Sequence, residues 1–149
     1  MQPRLVRALA SLLAATLTPV CVWANDPPAS IVAATNNASH EMIECAAYFT
    51  IVAEGMRITP GADTAKGADQ YDSAREAALM YALALAESIN QKPETLKARL
   101  EMSMQGMIDE IDRDYVNISI LLNKYAVPCK SAVEDPAARL QWWIDRKTQ

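Results

Sequence analysis

The chain has 149 residues with 14 Lys and Arg against 18 Asp and Glu, a formal charge of −4, and about half of it is hydrophobic. That length suits one domain with its own core. An acidic balance without clustered Lys and Arg argues against a nucleic-acid partner and an anionic lipid surface as binding targets.

The N-terminus carries Arg4 and Arg7, then an uncharged run from Ala8 to Val22, then Val22-Trp23-Ala24 before Asn25. This three-part pattern predicts a cleavable secretory signal over residues 1–24, with cleavage after Ala24. The run is short of the roughly 20 apolar residues a spanning helix needs and contains Pro19, so no membrane insertion is expected after cleavage. Thr18-Pro19-Val20 lacks the small residue expected directly before a lipidated Cys21. The expected compartment is the periplasm or the outside of the cell. Cleavage leaves 12 Lys and Arg against the same 18 acidic residues.

Cys21 departs with the signal, and an even pair remains, Cys45 and Cys129. In an oxidising compartment such a pair predicts a disulfide. The loop it closes spans 84 residues, which in the chain-entropy model is worth roughly 4.5 kcal/mol.

Residues 25–38 mix Pro, Asn and Ser with one short apolar patch and read as a loose arm before a single helical domain over 39–149. From Ser39, the residues Met42, Cys45, Phe49, Val52 and Met56 recur at helical spacing. Ser39 suits an N-cap, Glu41 and Glu44 suit the first turn, and Thr59-Pro60-Gly61 ends the helix. After a connection over 62–69, Tyr71, Ala74, Ala78, Tyr81, Leu85 and Ile89 form the stripe of a second helix. Its many alanines let neighbours approach closely, so it is expected to be central.

Pro93 suits the first position of a third helix, whose stripe runs through Leu96, Leu100, Met104, Met107, Ile111, Tyr115, Ile118, Leu122 and Tyr125. Pro128 is expected to end it. Asp135 as cap and Pro136 in the first turn start a short fourth helix, with Leu140, Trp143 and Ile144 inward. No segment alternates like a strand. The expected fold is all-α, a small antiparallel bundle of three long helices and a short C-terminal one, closed by one disulfide.

A disulfide strains that topology. With three up-down-up helices, Cys129 emerges near the end of the first helix while Cys45 lies roughly 15 Å away near its start, against the roughly 6 Å a disulfide spans. Either residues 126–128 fold back, or the long helix turns near Gly106 into two antiparallel ones. The unbroken stripe across Gly106 favours the first solution.

No catalytic constellation is present. His40, the only histidine, shares a helix face with Glu44, but a zinc site takes three or four ligands and the His-Glu-x-x-His motif lacks its second histidine. Met104 and Met107 share a helix face but Met102 points nearly the opposite way from Met104, so the three cannot converge on a soft metal and read as core filler, and no CxxCH haem-attachment motif occurs. Asp109, Glu110, Asp112 and Asp114 read as a solvated helix face. Adjacent helical positions diverge by about 100°, so Trp143 is expected to be core and Trp142 to be exposed for a partner. The expected function is that of an exported, non-enzymatic helical protein without a cofactor, binding another protein in the bacterial envelope as an accessory, inhibitor or immunity factor. A metal, haem or ligand carrier is the competing class.

Overall fold

The computed structural model describes residues 27–58 and 62–148. The expected signal over residues 1–24 lies outside the described residues. Those described are all-α: α1 (Ala29–Ile58), α2 (Ala62–Ser88), α3 (Pro93–Glu110), a 3-10 turn at Tyr115–Asn117, α4 (Ser119–Glu134) and α5 (Pro136–Thr148).

The centre of the bundle is α1, not α2. From Ala34 to Ala53 it buries residues on every side, Ala34, Ala38, Met42, Ile43, Tyr48, Ile51 and Val52 among them. A helix that is apolar all round belongs inside its neighbours. By contrast α2 buries Ala68, Ala78, Ala82 and Ala86 along one stripe and exposes Met80, Tyr81 and Leu83.

The loose arm expected over residues 25–38 is, from Ala29 on, the first part of α1. Pro28 precedes it and lends its carbonyl to the amides of Ile31 and Val32, and the small side chains of Ala34, Thr35 and Ala38 are buried by neighbouring helices. Tertiary contact therefore overrides a weak local pattern. Ser39 is accordingly no N-cap; it lies eleven residues into α1 and donates its hydroxyl to the Ala82 carbonyl at 3.0 Å, fastening α1 to α2 in the interior. Likewise, the connection expected over 62–69 is already helical, because Ala68 is buried there.

The expected long third helix is two. It ends at Glu110, Asp112 and Arg113 adopt φ of 54° and 60°, and the Arg113 amide reaches back to the Ile108 carbonyl at 2.9 Å. This left-handed exit closes the helix. The Asp114 carboxylate then accepts from the Val116 amide at 2.9 Å, and the chain returns as α4. Ile111 stays buried and Tyr115 and Ile118 pack against the core through the corner, which is why the apolar stripe shows no interruption. The fold-back expected at 126–128 is absent, since α4 runs through Pro128 to Glu134. Val127 and Pro128 lie on the outer face, where a carbonyl that loses its helical partner to proline can turn to water.

With α3 and α4 antiparallel, Cys129 comes back level with Cys45. The two are bonded, with Cα atoms 5.2 Å apart, and both are buried in the main core cluster beside Tyr48, Phe49, Ile51 and Leu121.

Candidate functional site

The sharpest cluster of polar and aromatic groups sits on α5. Asp135 caps this helix, accepting from the Ala138 amide at 3.0 Å, with Pro136 at the first helical position. Helical spacing then sets Arg139, Trp142, Trp143 and Arg146 together. Arg139 reaches across to α1 and donates to both oxygens of Glu41 at 2.6 and 2.7 Å, while the Trp143 indole N–H donates to the same carboxylate at 2.8 Å. Glu41 retains 14% side-chain exposure and Arg139 28%. Three charge-assisted bonds in a partly enclosed site hold α5 in one orientation.

Trp142 stands outside this clasp and is 40% exposed. Its ring meets Trp143 edge-on, with centroids 4.8 Å apart. The Arg139 guanidinium lies 4.0 Å and that of Arg146 5.0 Å from its centroid. Both distances are within cation–π range. Trp143, expected as a core residue, is half-buried: it turns its polar edge to Glu41 and is not part of the core. The patch offers an apolar ring and the exposed cation of Arg146, whereas the charge of Arg139 is met by Glu41.

A groove of about 440 Å³ lies between α2 and α4, with Tyr48 and Phe49 of α1 beneath it and Tyr71, Ala74, Ala126 and Val133 on its walls. Tyr48 is fully enclosed, with the Tyr71 ring edge-on beside it. Burial, followed by the nearby Tyr71 side chain, pushes its pKa upward. Rings crowd the floor, Tyr48 lying 5.2 Å from Phe49, 6.1 Å from Tyr71 and 5.9 Å from Tyr125 between centroids.

Glu110, at the end of α3, binds α4 through Lys124 at 2.6 Å and the Tyr125 hydroxyl at 3.3 Å. The Glu110 hydrogen bond, with Tyr125 adding, raises the Lys124 pKa, and burial raises that of Tyr125. At the corner, burial and then the Glu54 carboxylate push Tyr115 up to about 12. The exposed Asp109 carboxyl is held below its ordinary range by hydrogen bonds from Gln105 and Arg113. The acidic run is thus partly a solvated face and partly the corner and latch between α3 and α4.

Other residues singled out by the sequence do not converge. His40 Nε2 lies 3.9 Å from Glu44 with both side chains exposed, and among the described residues no group of three or more His, Cys, Asp or Glu is placed to hold a metal ion. Met107 is buried while Met102 is exposed. What the sequence did not reveal is the role of Glu41, Arg139 and Tyr48. Arg139 carried one usable signal, standing three and four residues before the two tryptophans; Glu41 carried none, since its partners lie 98 and 102 positions away.

Comparison of the chain with family models, curated proteins and solved structures finds no match.

Proposed function

We propose that the chain is exported, loses residues 1–24, and acts in the periplasm or outside the cell as a non-enzymatic helical protein that binds another protein, as an accessory, inhibitor or immunity factor. The observation that carries this reading is Trp142, a large ring left 40% exposed beside the clasp by which Glu41 holds α5 to α1. A rigid, partly exposed tryptophan beside an arginine is the kind of group that dominates binding energy at protein interfaces. Its partner surface would present an apolar pocket edged by carboxylates, since Arg146 stacks on the ring from the solvent side.

The Cys45–Cys129 bond supports an oxidising compartment. No helix among the described residues is long and apolar enough to cross a membrane, which is compatible with the same reading. The test uses the exported chain as bait in periplasmic extract, with Trp142→Ala alongside. A specific protein retained by the native chain and lost from Trp142→Ala, at unchanged thermal stability, is the expected result. Equal capture by both, or no partner for either, rejects the α5 surface.

A further inference from the structure

We propose that the α5 patch receives a second copy of this chain, whose acidic corner between α3 and α4 brings carboxylates and an exposed aliphatic side chain to Arg146 and Trp142. This contact uses the surface described above and rests on the reading of that surface as one that docks a protein.

The charges that remain once the internal pairs are drawn point to it. On α5, Arg139 is met by Glu41, whereas the exposed Arg146 lies beside both tryptophan rings and forms no ion pair among the described residues. At the corner, Arg113 is taken by Asp109 and Lys124 by Glu110. Asp112 and Asp114 are left, both exposed and neither in an ion pair among the described residues. One oxygen of Asp114 accepts from the Val116 amide, which leaves the charge in place. Val116 itself is 84% exposed, against 40% for Trp142. One surface thus offers a cation beside a ring, and the other offers two anions beside an aliphatic side chain. Complementary charge of this kind steers association and fixes its register.

Position in the bundle excludes a contact within one molecule. The α5 patch is tied to Glu41 in the first half of α1, while the corner sets Tyr115 against Gly55 near the other end of that helix. Fourteen helical residues separate the two levels, roughly 21 Å at 1.5 Å per residue. Each copy therefore presents its α5 to the corner of another, head to tail. Both patches are small, so the contact falls among weak, salt-sensitive interfaces.

Sedimentation equilibrium of the exported, disulfide-bonded chain at up to about 1 mM, where weak association registers, should show a reversible increase in mass at low salt. About 0.5 M NaCl should weaken it roughly ten-fold or more. Arg146→Glu and Val116→Lys, both at exposed positions, should each give a folded monomer. Mixed, these two variants should pair one to one and go no further, because the first keeps the native corner and the second the native α5. Trp142→Ala, Arg146→Gln and Val116→Ser should weaken association in the same direction, and they carry the test if a charge-introducing variant fails to fold.

The proposal fails if the native chain is monomeric throughout, if either charge-introducing variant alone associates like the native chain, if their mixture stays monomeric, or if Trp142→Ala changes nothing. A monomeric chain that still retains a foreign protein from periplasmic extract through Trp142 overturns the self-contact alone. Self-association that needs Arg146 and Val116, with no foreign protein retained, supports the self-contact and removes the foreign partner.

Discussion

Glu41 and Arg139 stand 98 residues apart and meet through two hydrogen bonds of 2.6 and 2.7 Å, one to each carboxylate oxygen. Surface ion pairs are worth little, but this one is mostly enclosed, and it is extended by the Trp143 indole N–H on the same carboxylate. It is the polar tie between the C-terminal helix and the central one.

Glu41→Ala should therefore cost roughly 1.5–3 kcal/mol, the range for a hydrogen bond to a charged group lost from a partly buried site. Glu41→Gln, which keeps an acceptor for Trp143, should cost less. Urea denaturation measures both, and near-UV circular dichroism reports whether the two tryptophans lose their fixed edge-on arrangement. A Glu41→Ala chain as stable as the native one would show that α5 is held by apolar contact alone.

The covalent tie acts elsewhere, joining the middle of α1 to the returning α4. Replacing Cys45 or Cys129 by Ser should cost roughly 2–5 kcal/mol. Both sulfurs are buried in the main core cluster, so part of the loss comes from polar hydroxyls placed among Tyr48, Ile51 and Leu121. Reduction of the native chain separates the two contributions, because it opens the bond and leaves thiols in place. It should lower stability by less than either substitution.

The helical class and the disulfide were legible because each depends on a local period or on simple cysteine arithmetic. The corner at residues 111–118 was not, and the reason is physical. Ile111, Tyr115 and Ile118 remain directed at the core through a left-handed turn, so a pattern that records only burial cannot register the change of direction. A cue lay in Asp112, Asp114 and Asn117, residue types suited to left-handed and capping positions, but on a helix the same residues read as a polar face. The position of α1 was hidden for a related reason. Alanines in residues 33–38 are uninformative until it is known that another helix lies against them. On α5 the exposed place of Trp142 followed from angular spacing, whereas the half-burial of Trp143 depends on Glu41, a partner that no local pattern supplies.

Two helical glycines should respond in opposite directions to alanine. At Gly106 on α3 an added methyl group meets nothing within 4 Å, so Gly106→Ala should stabilise by about 0.8–1 kcal/mol through helix propensity. At Gly55 on α1 the new Cβ would stand 2.9 Å from Cδ1 of Tyr115. That ring also packs at the α3–α4 corner, so it cannot yield without disturbing the core. Gly55→Ala should destabilise by roughly 1–3 kcal/mol despite the same gain in propensity. Thermal denaturation of the two variants decides it. A stabilised Gly55→Ala would mean that Tyr115 moves freely and does not anchor the corner.

Alkaline solution should weaken the fold through the tyrosines. Tyr115 titrates at about 12 instead of its ordinary 10, because burial and then the Glu54 carboxylate oppose the phenolate, and the pKa values of Tyr48 and Tyr125 are also raised, chiefly by burial. Between pH 10 and about 12 the unfolded chain has released the Tyr115 proton while the folded chain still holds it. Folding then binds more protons than unfolding, and stability falls as pH rises. The stabilisation is complete below pH 10 and is lost as pH passes through the folded pKa. Lys124 adds to the same trend, since its raised pKa reflects an ammonium stabilised by Glu110 in the folded state. Urea midpoints measured from pH 9 to pH 12 should decline steadily, and Tyr115→Phe, which has no proton to release, should flatten the decline. Tyrosinate absorbance of the folded chain should likewise develop later than that of the urea-unfolded chain. Midpoints that hold constant to pH 12, or an unchanged slope in Tyr115→Phe, would remove Tyr115 as a buried neutral phenol at the corner.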